Sequence, residues 1–285
     1  MGTTKVLLVG VCEYLTVKCL SLFECKNNLF AMRNALVKGL NINSNNIYLC
    51  GETGIVTKND FIMSIYTILK DISENNTFIF YFTSHEGNNC LVMSDGLIKL
   101  QNLLDTIEQI QTKNKIAIID ICHSGIFLLE KIAKMNINET VEHFAGRGFA
   151  VLASCGAEQD SGFNDEKEIS LYTSFVCDAL TAHFLIRKGK KSLETINESI
   201  VHFAEVSNRK KEYNFQQPIF RSSIGGTIFF DVEEYNLYKI TKIYEEADNY
   251  IIYDVEPVHH AKAKRLSVKV ILGFQSSMEQ IAEIA

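Results

Sequence analysis

The sequence predicts an α/β protein, a sandwich around a mostly parallel sheet, followed by a short C-terminal β-rich extension. Three observations carry this. Short apolar runs such as Lys5-Val-Leu-Leu-Val-Gly10, Phe78-Ile-Phe-Tyr-Phe82 and Ile116-Ala-Ile-Ile-Asp120 lack polar alternation, as strands covered on both faces do. Amphipathic helical patterns fall between them, and parallel neighbours need a crossover long enough to hold a helix. From about residue 233 the alternation stops, and Tyr250–Val255 and Ser267–Leu272 read as two β-like runs flanking a basic loop with no full helix between them.

The first strand closes at Gly10. Leu29, Met32, Leu36 and Leu40 then recur at helical spacing, with Gly39 as a stop signal. Ile47–Cys50 is a second strand, and Thr57-Lys-Asn-Asp60 offers caps to a helix through Ile65, Ile68 and Leu69. Phe78–Thr83 is a third strand; a helix near Leu100–Gln111 precedes the fourth, Ile116–Asp120. Gly148–Ala153 is a fifth, followed by a helix from about Tyr172 to Ile186, and the apolar run Gly226–Asp231 closes this part. Only two prolines, Pro218 and Pro257, punctuate the chain, so boundaries rest on the change of pattern. The expected organisation is one domain over 1–232, with a larger part about 1–135 and a smaller part about 146–232, and an appended segment over 233–285.

With 285 residues, 47% hydrophobic and 22% charged, the chain has ample material for one large core. A net charge of -6 offers no footprint for nucleic acid; Arg187-Lys-Gly-Lys-Lys191 and Arg209-Lys-Lys211 read as solvated loops or helix ends. No run is long enough to cross a bilayer, the opening segment is too short and too weakly basic for a secretory signal, and Val6 stands where myristoylation would want Ser or Thr. A soluble, cytoplasmic protein without a membrane partner is expected. Eight scattered cysteines form no C-x-x-C pair, so reduced, mostly buried thiols are expected rather than structural zinc or a disulfide framework.

The chemistry concentrates at two strand ends. FTSHEG (82–87) and DICHSG (120–125) each follow a buried-looking strand, and functional groups in open α/β sheets collect at the strands' carboxyl ends. His85 and Cys122 are the first reactive side chains past those ends. A thiol is mostly protonated at neutral pH, with a free pKa of about 8.5. A neighbouring imidazole can take that proton and later pass it to a leaving amine, which points to acyl transfer and most simply to peptide hydrolysis.

Here the chain resembles the caspase and metacaspase cysteine peptidases. Asp120-Ile-Cys122-His123-Ser124-Gly125 matches the family's nucleophile motif, and Thr83-Ser84-His85 its histidine loop. Val6–Gly10, Glu24-Cys-Lys-Asn-Asn28, Val151-Leu-Ala-Ser154 with Gln159, Tyr172-Thr-Ser-Phe175 and Gln217-Pro218 extend the likeness over roughly residues 5–231. The resemblance implies a caspase-like three-layer sandwich and a cysteine endopeptidase in which Cys122 is the nucleophile and His85 the base. It implies a pocket formed by Asp120, Asn28 and Ser154 that takes Arg or Lys, and protein or peptide substrates. It further implies self-cleavage after Lys131, Lys134 or Arg147, and a regulatory or sensor partner, as in prokaryotic members that act as defence effectors; the appended segment is a candidate for that regulation.

Two departures from the pattern stand out. Asn28 replaces the family's second pocket aspartate, which makes the pocket less acidic. Glu86 intervenes before Gly87, so either the loop accommodates an extra residue or the Glu86 amide joins that of Cys122 in holding the oxyanion. Three blander readings stand beside these: His85 or Cys122 as structural residues, Asp120 as a turn cap, and a catalytically silent scaffold or regulatory binding module, which the Glu86 insertion favours. His123 reads as structural, because successive side chains point apart. No cofactor is expected: the histidines show no metal-ligand spacing, and Asp160, Asp165 and Glu166 do not supply the convergent oxygens that calcium needs. A nucleotide-binding domain would want a Gly-rich loop after the first strand, where Val11-Cys-Glu-Tyr14 stands instead.

Overall fold

The computed structural model describes residues 3–16, 20–87, 90–112, 114–122, 137–146, 148–154, 162–182, 185–210, 217–232, 245–246, 250–260 and 263–272. The chain divides into two compact units, Met1–Glu234 and Tyr235–Ala285.

In the first unit, β1 (Thr4–Gly10) leads to α1 (Glu24–Leu40), β2 (Ile47–Cys50) and α2 (Lys58–Asp71). The caps expected for α2 form: Thr57 and Asp60 exchange side-chain and backbone bonds in a capping box. β3 (Thr77–Gly87) is followed by a hairpin of β4 (Cys90–Met93) and β5 (Gly96–Lys99), then α3 (Leu100–Glu108) and β6 (Asn114–Cys122). α4 (Ile137–Gly146) precedes β7 (Phe149–Ala153). A small ribbon of β8 (Phe163–Asn164) and β9 (Ile169–Ser170) enters α5 (Leu171–Thr181). β10 (Lys190–Ser192), α6 (Leu193–Lys210), β11 (Ile219–Ser222) and β12 (Phe229–Asp231) complete the unit.

The main sheet runs β11-β7-β6-β3-β1-β2. Its five strands other than β11 are parallel, and β11 closes one edge antiparallel to β7. The expected five parallel strands are therefore all present. The run Gly226–Asp231 is not the sixth. Its β12 portion pairs with β10 in a separate ribbon, while Ile219–Ser222, just after Pro218, takes the edge. An edge strand needs only one row of partners, which suits four residues that are half exposed and adjoin a proline.

Each face of the sheet is covered. Phe78, Phe80 and Phe82 of β3 point to the α2–α3–α4 side, where Phe80 stacks at 6.2 Å on Phe144 and lies 6.3 Å from Phe61. Ile79 and Tyr81, the alternate residues, face α1, α5 and α6 with Val6, Leu8, Ile116 and Ile118. α1 and α5 pack unusually closely at Gly39, where a Cβ would fall 2.1 Å from the Leu180 carbonyl oxygen. The basic run near 190 departs from the solvated reading, because Lys191 is buried and its ammonium donates to Leu180 O at the end of α5. Burial pushes its pKa down to about 8.

The second unit is a three-stranded antiparallel sheet of β13 (Glu245–Glu246), β14 (Tyr250–His260) and β15 (Ala263–Leu272). Its two long strands run well past the apolar cores seen in the sequence and carry the basic residues into the hairpin, with His259 opposite Lys264 and Val258 opposite Arg265. Among the described residues no helix is long and apolar enough to cross a membrane.

Candidate active site

The sheet order sets where a site can form. The chain passes from β1 outward to β2 and then returns to the other side of β1 at β3, so loops leaving β1 and β3 diverge and open a crevice at their carboxyl ends. β6, the next strand over, ends beside it. In the β3–β6 ladder Thr83 is opposite Asp120, Ser84 opposite Ile121, and His85 opposite Cys122. Two residues from different segments of the chain are thus set side by side by main-chain register alone.

The segment after β1 holds the histidine. Leu20 O lies 2.8 Å from His85 Nε2. A carbonyl can only accept, so Nε2 carries the proton and Nδ1 keeps the lone pair in the neutral ring. Tyr14 packs its ring 5.1 Å from the imidazole, and its hydroxyl accepts from the His85 amide at 3.1 Å while lying 2.9 Å from Ser84 Oγ. Ser84 in turn donates to Val92 O of β4 at 2.9 Å. His85 is buried and fixed at ring and backbone. Glu86 and Gly87 pair with Leu91 and Cys90 of β4, so the extra residue lengthens β3.

Beside this pair lies a cavity of about 290 Å³, lined among others by Glu24, Asn28, Thr83, Asp120, Phe163 and Ser170. Asp120 is buried; its Oδ2 accepts from Thr173 Oγ1 at 2.6 Å and from Ser170 Oγ, both at the start of α5. Burial pushes the carboxyl up to about 6, against the pull of those two hydroxyls. Asn28 bridges the other wall, accepting from Ser170 N at 2.9 Å and donating to Thr83 Oγ1 at 3.1 Å. The predicted pocket residues Asp120 and Asn28 therefore meet. Ser154 flanks Asp120 but is not among the described residues that line this cavity: it is buried, its amide donates to Ile119 O at 3.0 Å and its hydroxyl to Ile121 O at 3.3 Å, bracing the residue before Cys122.

Lys131, Lys134, Arg147, Asp160, Gln159 and His123 lie outside the described residues. Among the described residues no three His, Cys, Asp or Glu side chains converge as a metal group. Cys12, Cys25 and Cys50 are buried free thiols whose pKa values burial raises, so they are poor nucleophiles.

A family model described as the caspase domain matches residues 3–225. The chain belongs to the caspase domain family. This caspase domain also resembles a solved caspase-1 from Spodoptera frugiperda, with a TM-score of 0.58 at 14% identity over 83% of this chain and 92% of that one. At that identity the likeness speaks for the fold. A search of curated proteins returned no significant match.

Sequence reasoning missed Tyr14, the Leu20 carbonyl, Ser170 and Thr173. Tyr14 and Leu20 lie in a segment without periodicity, and Ser170 reaches Asp120 across fifty positions. The one local signal was Ser170 as the N-cap of α5, accepting from Thr173 N.

Proposed function

We propose that this caspase domain is a cysteine endopeptidase that cleaves peptides after Arg or Lys without a cofactor, with Cys122 as nucleophile and His85 as base and acid. The reading is supported most by the ladder that pairs His85 with Cys122 while Leu20 O accepts from Nε2 and so keeps the ring proton on the far side. His85 Nδ1 takes the thiol proton and the sulfur adds to the scissile carbonyl. The oxyanion is held by the Cys122 amide with that of Glu86 or Gly87. The amine then leaves with the proton from His85, and water, activated by the same nitrogen, hydrolyses the thioester. Asp120 draws the preceding basic side chain into the cavity, its charge restored by the bound cation.

Cys122→Ala should abolish turnover of Arg and Lys reporter peptides, and a basic peptidyl electrophile should label Cys122 faster than a free thiol; retained turnover would end the reading. The lengthening of β3 at Glu86 favours one alternative, a silent scaffold, which predicts no accelerated labelling. Self-cleavage after Lys131, Lys134 or Arg147 belongs to the same proposal, as does regulation of a cytoplasmic enzyme through residues 233–285 by a sensor or partner. Intact mass analysis of active enzyme should reveal a cut, and an uncut active chain would remove that part.

A further inference from the structure

The cavity beside Asp120 holds a second carboxylate that the sequence did not single out. Glu24 opens α1 one turn before Asn28, and residues four apart share a helix face. Both line the cavity with Asp120. Their situations differ. Asn28 is buried and spends its amide on the fold, its oxygen on Ser170 N and its nitrogen on Thr83 Oγ1. Glu24 is half-buried and, among the described residues, makes no side-chain hydrogen bond or ion pair that would neutralise it. Asp120 commits Oδ2 to Ser170 and Thr173, which leaves Oδ1 as the oxygen open to a ligand.

Resting on the basic-residue reading above, we propose that Glu24 is a specificity residue that supplies the cavity's second negative charge in place of Asn28, and that the pair selects a guanidinium over an ammonium. A lysine ammonium is a compact point charge and is served by one carboxylate. An arginine presents five donors in a planar fork, so acceptors from two elements, α1 and β6, can engage it together. Phe163, which also lines the cavity and is 42% exposed, adds an aromatic surface on which that plane stacks.

A purely structural Glu24 would instead be the acidic residue of the first turn of α1, favoured there by the helix dipole. The two roles separate by moving the charge. Steady-state kinetics on Arg and Lys reporters should be compared for the wild type, Glu24→Gln, and Glu24→Gln combined with Asn28→Asp. Alkylation of Cys122 by iodoacetamide serves as a check on the nucleophile. Glu24→Gln should raise KM for the Arg reporter about tenfold and for the Lys reporter less, with alkylation unchanged. Asn28→Asp in that background should restore the Arg preference, because the Thr83 hydroxyl can rotate to donate to the new carboxylate. Unchanged kinetics in Glu24→Gln would overturn the proposal alone, as would a loss that Asn28→Asp fails to recover. Wild-type enzyme inert to both reporters would instead strike the parent reading, and this one with it.

Discussion

The α1–α5 face of the central sheet contains two regions built from the same strands. Toward the strands' beginnings it presents Val6, Leu8, Ile79, Tyr81, Ile116 and Ile118, packed against Leu29, Leu36, Tyr172 and Val176. Further along the same alternation come Thr83, His85 and Asp120, buried as deeply but polar. The backbone geometry is continuous across the boundary. What changes is the partner: the first region meets mostly apolar side chains, the second meets the helix starts and the β1 segment, which bring hydroxyls, amides and carbonyls. One region holds the sheet in place, and the other spends part of that stability on groups that burial disfavours.

Asp120 shows the cost. Its folded pKa is raised from 3.8 to about 6, so folding favours the protonated form. Its contribution is fully present below the unfolded value and is lost as pH rises through the folded one. At pH 7 the ionised group therefore destabilises the fold by on the order of 3 kcal/mol.

The comparison breaks most visibly at the histidine. His85→Ala should lower kcat/KM by about 10³-fold or more, read with Arg reporters, because it removes both proton transfers. Asp120→Asn should lower kcat/KM on basic reporters about 100-fold while raising stability at pH 7 by about 1–3 kcal/mol in urea titrations, an advantage that should vanish below pH 4. Opposite signs for activity and stability are the signature expected of the polar region, and a loss of both would contradict it. Tyr14→Phe keeps the ring against His85 but removes the hydroxyl that accepts from the His85 amide. It should cost about tenfold in kcat/KM and about 1 kcal/mol of stability, measured side by side. The apolar region should answer differently: Ile118→Val should cost about 1 kcal/mol in denaturation and leave kcat/KM unchanged.

Legibility in the sequence followed the same divide. The apolar region was readable because unbroken apolar runs and strand spacing state burial on both faces directly, so β1, β2, β3, β6 and β7 were found near their observed positions. The short β11 was overlooked because four half-exposed residues carry no apolar run, and Phe229–Asp231 drew attention with aromatic residues that serve a small ribbon instead. Helices α4 and α6 were passed over. α6 follows a basic run that read as solvent-exposed, and its charged face masks the stripe of Leu193, Ile196 and Ile200. Of the site, His85, Asp120 and Cys122 were visible because each ends an apolar strand. Glu24, Ser170 and Tyr14 were not, since their roles exist only once α1, α5 and the β1 segment converge on those ends.

The central claim is that a cysteine–histidine pair at two strand ends works beside a cavity that recognises a cation. Profiling a mixed peptide library with the full chain tests both halves at once. The account predicts cleavage that requires Cys122, with Arg and Lys enriched immediately before the scissile bond and that enrichment lost in Asp120→Asn. Cleavage after acidic residues, or a basic preference untouched by the loss of the Asp120 charge, would contradict it.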